Sequence, residues 1–272
     1  MRHMLSLLFI GCFIGTGAAY GLPLEPEEGW VTGAEMDQAV KFAQDKHLPL
    51  VFVYDFREGS FHSSAHSYMR NQSLAGFVKV LVYVSAKPPS AFQKVADQIQ
   101  EPDSFLPVMY FASPDLQVLG FVQSGARSDK VSLHATLAKQ LHVWLTRTSA
   151  ELNKADKCAA DGRFNAALGV YRKAAIEDIK NTVLVSKTWE VILTEQEAKP
   201  LYFPDLPERM KKLETLAEER LAKATEHYEK QEYAEAKKLL EPMVKDKADF
   251  EAVKKAAELL KKVIEAMQTK KD

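Results

Sequence analysis

The chain has 272 residues, of which 46% are hydrophobic and 27% charged, and its formal net charge is −1. This is the composition of a globular protein with enough apolar material for a core, and the length corresponds to one large or two ordinary domains. The near-neutral charge offers no basis for a nucleic-acid or anionic-membrane partner, so we expect no nucleic-acid binding.

Residues 1–19 have the organisation of a secretory signal. Arg2 and His3 precede an apolar run over 5–14, and small residues follow it. This order is typical of a signal peptide, with cleavage expected before Tyr20. The apolar run is shorter than the ~20 residues of a spanning helix, so we expect no stable membrane span in the mature chain. The prediction is an exported protein, periplasmic or secreted.

The cysteines bear on both anchoring and redox chemistry. Cys12 leaves with the signal, and Cys158 then remains as the single thiol of the mature chain, which excludes an internal disulfide. A lipoprotein anchored through Cys12 is the alternative, although phenylalanine replaces the usual leucine of a lipobox. Cys158 lies in an alanine-rich helical stretch that favours a buried thiol, and nearby Lys154 and Lys157 leave a reactive thiol as the alternative.

The first half of the chain alternates helical and extended patterns. Apolar positions recur at helical spacing over 34–46, and the apolar run 48–54 predicts a strand buried on both faces. Further elements follow as strand, helix, strand, strand and helix, over 77–84, 89–100, 105–112, 118–122 and 131–145. The turn-forming residues 113–116 predict a hairpin between the last two strands. The final helix is expected to bury a stripe of Leu133, Leu137, Leu141 and Trp144. This alternation predicts a layered α/β sheet.

This order of elements resembles the thioredoxin family over residues 30–145. In exported members of that family, a strand leads into a loop bearing Trp-Cys-x-x-Cys. Alignment of Phe56 with the family's strand-terminal phenylalanine puts Phe61 at the tryptophan position. The segment that then replaces the redox motif is His62, Ser63, Ser64 and Ala65. Because both redox cysteines are missing, the resemblance implies a redox-inactive member with no catalytic residue.

Further segments extend this resemblance. Pro107, preceded by Leu106, is similar to the family's cis-proline, which faces the active-site loop. Residues 113–117 resemble the turn between the last two strands, and Gly125 resembles the glycine before the final helix. In redox members the cis-proline segment offers backbone groups to an extended peptide. The resemblance therefore implies a peptide-binding surface that includes Phe61 and Leu106.

The second half is predicted to be all-helical. Residues 148–272 contain 24 basic and 24 acidic residues, which is typical of long helices with mixed-charge outer faces. The segment 161–167 is similar to 230–236, and the aromatic residues Phe164 and Tyr233 are 69 positions apart, close to two tetratricopeptide periods of ~34. This half therefore resembles a helical-repeat region in which Phe164 and Tyr233 plug between helices. Segment 199–207, rich in proline, is predicted to be a loop and a preferred site of proteolysis.

An enzyme remains the alternative function, at the His62 loop. His62 and His66 are four residues apart, which is a metal-ligand spacing on a helix, yet two ligands do not make a site. A set of Ser60, His62 and Asp55 lacks the elbow motif of a serine hydrolase. We therefore predict no metal site and no cofactor.

These observations predict how the chain is divided and what it does. The predicted division is a signal peptide at 1–19, a thioredoxin-like α/β domain without redox cysteines at 20–147, and an all-α, tetratricopeptide-like domain at 148–272. The predicted function is that of an exported, non-catalytic protein that binds proteins or peptides as a scaffold or chaperone-like factor. The alternatives are a metal-assisted or other enzyme at the His62 loop, and a structural envelope protein.

Overall fold

The structure is a computed structural model. It describes residues 29–55, 69–83, 88–99, 108–123, 126–189 and 194–269. The strands within these residues are β1 (Trp30–Thr32), β2 (Leu50–Asp55), β3 (Val78–Tyr83), β4 (Val108–Ala112) and β5 (Val118–Val122). The helices are α1 (Met36–Lys46), α2 (Ser90–Ala96), α3 (Ser128–Ala160), α4 (Phe164–Ser186), α5 (Leu206–Glu229), α6 (Tyr233–Asp246) and α7 (Glu251–Thr269). A mixed sheet with helices thus precedes an all-helical region, as the sequence predicts.

The sheet has the strand order β1-β3-β2-β4-β5. β1, β3 and β2 run parallel, whereas β4 is antiparallel to β2 and β5 is antiparallel to β4. Tyr54 of β2 lies opposite Val108 of β4, and Asp55 lies opposite Tyr83 of β3. The ends of β2 and β3 and the start of β4 therefore meet at one end of the sheet. β1 was not predicted, because three residues are too few for a periodic signal.

Side chains alternate between two buried faces of the sheet. In β2, Val51 and Val53 face α3, whereas Leu50 and Phe52 face α1 and α2. All four of these residues are fully buried, which confirms the prediction of a strand covered on both faces. The result is a three-layer arrangement with helices on both sides of the sheet.

The hairpin of β4 and β5 matches its prediction. Its turn is closed by the amide of Ser113, which donates to the carbonyl of Gln117 at 2.8 Å. Leu116 adopts a left-handed conformation, with φ of 64°, at the turn position. The side chain of Gln98 donates to the Leu116 carbonyl at 2.7 Å and accepts from the Val118 amide at 3.0 Å, so it holds both sides of the turn.

Helix α3 differs from its prediction in length and in its buried stripe. It runs unbroken from Ser128 to Ala160, so the predicted boundary between residues 147 and 148 falls inside it. Of the predicted stripe only Leu133, at 67% exposure, lies outside the core. Leu137, Leu141 and Trp144 pack against the sheet core as predicted, together with Val131, Ala135, Ala138 and Leu145. The small side chains of Ala135 and Ala138 let the helix approach the sheet closely. His134 and Ala135, which follow Leu133, are therefore buried in its place.

The C-terminal part of α3 belongs to a second core. Leu152, Ala155 and Ala159 pack with α4 to α7 around Phe164 and Leu213. One helix therefore contributes to both the sheet core and the helical core. Among the described helices, none is long and apolar enough to cross a membrane.

Two interhelical turns in this region have the same backbone. Gly162 and Gln231 both have positive φ, of 84° and 60°. The amide of Arg163 bonds the carbonyl of Cys158, and the amide of Glu232, 69 positions later, bonds that of His227, each at 2.8 Å. This is the hydrogen-bond pattern of a Schellman turn. The sequence similarity between 161–167 and 230–236 thus corresponds to two equivalent helix-to-helix turns.

Candidate binding surfaces

The predicted site at the end of the sheet falls outside the described residues. This applies to Phe61, His62, Ser63, Ser64, Ala65, Leu106 and Pro107. The described residues that flank these segments, Asp55 and Val108, lie at the same end of the sheet on the neighbouring strands β2 and β4. Asp55 is fully buried there. In the parts of the chain that the structure describes, no group of histidine, cysteine or acidic side chains is arranged to hold a metal ion.

The loop before α5 is fixed to α4 by Asp178. The carboxylate of this buried residue of α4 accepts hydrogen bonds from the amides of Leu201 and Tyr202 at 3.1 Å and of Phe203 at 2.7 Å. Burial raises the pKa of Asp178, and these three donors oppose the rise. The carboxylate thereby satisfies backbone groups that would otherwise be buried without partners.

Tyr202 extends this attachment to the sheet. Its hydroxyl donates to the carbonyl of Val118 on β5 at 3.0 Å, and the side chain of Gln117 donates to the Tyr202 carbonyl at 3.1 Å. The ring packs edge-on against Trp144 of α3, with centroids 5.6 Å apart. β5 is an edge strand of the sheet. The contact with Tyr202 therefore provides a hydrogen-bond donor for a backbone carbonyl of this edge strand.

The anchoring of this loop bears on the predicted site of proteolysis. Residues 199–205 form a loop as predicted, whereas Leu206 and Pro207 already belong to α5. Within this segment Tyr202 is 3% exposed and Leu206 is fully buried. A protease requires several residues of accessible chain in an extended conformation. The hydrogen bonds to Asp178 keep residues 201–203 from adopting that conformation. The proline content predicted the absence of a helix and carried no information on burial.

A groove between α5 and α7 is the surface best suited to a partner. It has a volume of about 420 Å³ and opens to solvent. Leu221 and Ala222 of α5 and Ala252 of α7 form its apolar part. Four glutamates line it: Glu218, Glu226, Glu229 and Glu251. Leu221 is only partly buried and remains available in the groove.

A second groove, of about 590 Å³, lies between α6 and the start of α4. Asp246 at its margin accepts hydrogen bonds from the amides of Asn165 and Ala166. It thus caps α4, whose own N-cap residue Arg163 makes no side-chain cap. Lys237 and Lys245 both pair with Glu241, each one helical turn away on α6 itself. These charged groups are therefore engaged in ion pairs within α6.

Cys158 is partly buried against the helical core and forms no disulfide. No family model, no curated protein and no solved structure matches the chain.

Proposed function

We propose that the protein is exported, has no dithiol catalysis, and binds protein or peptide partners through its helical region. In this proposal the sheet region is a redox-inactive thioredoxin-like unit, and the helical region is a tetratricopeptide-like extension of it. The observation that carries the binding function is the open groove between α5 and α7, because it combines apolar side chains with charged groups at a solvent-accessible surface.

The thioredoxin-like part of the proposal has support from the sheet. Three parallel strands are followed by an antiparallel hairpin, with helices on both faces. Fold likeness says little about function by itself, since one fold supports many functions. The absent cysteines are the stronger argument for a binding role.

The repeat-like part has support from the two equivalent turns. Gly162 follows α3 and Gln231 follows α5, and both have a positive φ. The fully buried residues Ala167 of α4 and Ala236 of α6 are separated by the same 69 positions. Stacked helix pairs create grooves between neighbouring helices, and repeat proteins use such surfaces to hold peptides or helices.

A peptide-display selection against the full mature chain tests the binding function. We expect recovery of a reproducible peptide class that binds the purified protein with one-to-one stoichiometry. A selection that enriches no peptide, in a library containing both extended and helix-forming sequences, would overturn the proposal.

Two further measurements test export and the absence of redox catalysis. The N-terminal residue of the protein recovered from the exported fraction should be Tyr20. The purified protein should not reduce insulin in the presence of a recycling reductant, because disulfide exchange requires an attacking and a resolving thiol. Insulin reduction that disappears in Cys158→Ser would show that this single thiol is a redox centre.

A further inference from the structure

We infer that the α5–α7 groove binds a basic, amphipathic helix of about three turns. This inference rests on the proposed binding function and specifies the chemistry of the partner. Its basis is the pattern of charged and apolar side chains along the groove.

The charge of the groove is strongly one-sided, although the whole chain carries a net charge of only −1. Four glutamates line the groove and Lys255 is its only lining cation among the described residues. Glu226 is paired with Lys230 and Glu251 interacts electrostatically with Lys254, whereas Glu218 and Glu229 form no ion pair among the described residues. The carboxylates of Glu218 and Glu229 are thus available to a partner, and the excess of negative charge in the groove favours a cationic ligand.

The apolar part of the groove lies between these carboxylates. Leu221 is partly buried, Ala222 is exposed, and Ala252 forms the floor at 5% exposure. A purely charged segment would leave these side chains in contact with water. A partner with an apolar face would cover them while its charged residues reach the glutamates, which is the usual arrangement of a helix held in a groove.

The spacing along α5 sets the length of the partner. Glu218 and Glu229 are separated by eleven residues of helix, which corresponds to about 16 Å, or three helical turns. The small side chains of Ala222 and Ala252 permit close approach of a second backbone. Lysine or arginine at both ends of a three-turn amphipathic helix therefore matches the glutamates at both ends of the groove.

The probe for the test is a fluorescein-labelled 14-residue peptide with leucine and alanine on one face and lysines on its flanks. Its matched control carries glutamate at each lysine position. Fluorescence anisotropy with the full mature protein should show saturable binding of the lysine peptide at low salt. We expect at least about tenfold weaker binding at 0.5 M salt, because exposed charges are screened over a few ångströms there. Equal binding of both peptides, or no binding of the lysine peptide, would overturn the inference.

Two double variants with the same change in net charge locate the site. Glu218→Lys with Glu229→Lys should abolish binding of the lysine peptide and create binding of the glutamate peptide. Asp115→Lys with Glu195→Lys changes two exposed residues outside α5 and α7 and should leave both affinities unchanged. An equal loss in both double variants would mean that overall charge, not the groove, governs binding. Circular dichroism verifies that each variant remains helical.

The outcome separates this inference from the proposed function. If peptide display enriches a non-basic class that binds outside the groove, the protein is still a peptide-binding protein and only the basic-helix inference is wrong. If display enriches no peptide and the lysine peptide does not bind, both are wrong.

Discussion

The carboxylate of Asp178 on α4 holds the backbone amide of Tyr202 through both of its oxygens, at 3.1 and 3.2 Å. Through the Tyr202 hydroxyl, this contact continues to the edge of the sheet at Val118. These hydrogen bonds thus connect the helical region to the sheet. It also places a buried charge where its removal has measurable effects.

We predict that Asp178→Asn destabilises the protein and exposes the loop before α5. The asparagine side chain keeps one acceptor oxygen, but its NH₂ group faces the backbone N–H groups of residues 201–203, which also donate. The free energy of unfolding should fall by about 2 kcal/mol, as for hydrogen bonds to a charged group. Urea denaturation measures this change. Chymotrypsin should cut the variant after Tyr202 faster than the wild type, while the exposed-site variant Glu214→Gln should behave as wild type. Equal cleavage rates in all three proteins would contradict the anchoring role.

His134 should make stability depend on pH. This buried residue of α3 donates from Nδ1 to the carbonyl of Phe121 at 2.7 Å, and burial lowers its pKa. The unfolded state, with a histidine pKa near ~6.5, therefore binds more protons than the folded state just below that pH. The free energy of unfolding should fall as the pH is lowered from ~6.5 to the folded-state pKa, and the contribution of His134 should level off below it.

The matched variant for this effect is His134→Asn, whose side-chain amide can donate to the same carbonyl but does not titrate. Denaturant unfolding at several pH values between ~7.5 and ~5 should give a steeper loss of stability for the wild type than for the variant. Parallel pH profiles for the two proteins would show that His134 does not contribute.

The two equivalent turns should respond in opposite ways to substitution. At Gln231 the left-handed backbone strains a residue with a Cβ, so Gln231→Gly should stabilise the protein by up to about 1 kcal/mol. At Gly162 an added Cβ would lie 2.7 Å from Nε of Arg220, which bonds the carbonyls of Leu239 and Ala160. Gly162→Ala should therefore destabilise by about 2 kcal/mol or more, from strain and steric overlap together. Thermal denaturation measures both shifts, and shifts of the same sign would refute the argument.

Phe164 and Tyr233 should contribute unequally, although the sequence gives them the same role. Phe164 is 1% exposed in the helical core, so Phe164→Ala should cost about 3–5 kcal/mol. Tyr233 is only partly buried and stacks on Tyr228 with centroids 5.6 Å apart. Tyr233→Ala should cost about 1–2 kcal/mol, since less of the ring leaves water on folding. Chemical denaturation should show this order, and equal costs would indicate that Tyr233 plugs between helices as tightly as Phe164.

The sequence by itself determined the elements whose causes are local. The apolar run that became β2, the hairpin after Ala112 and the helical spacing of α1 follow from periodicity and turn chemistry within a few residues. The similarity of 161–167 to 230–236 was likewise visible, because the same local hydrogen bonds form both turns. These features require no knowledge of what lies opposite them.

The tertiary structure alone decided how distant segments meet. Asp178 reaches the loop at Tyr202, Asp246 caps α4 from the end of α6, and α5 lies against α7 to form the acidic groove. Each of these contacts joins residues more than twenty positions apart, and no periodic pattern specifies which pair will meet. Which residues are buried depends on how whole helices pack. The unpaired backbone amides and carbonyls at helix ends and strand edges then form hydrogen bonds with whichever polar side chains that packing places beside them.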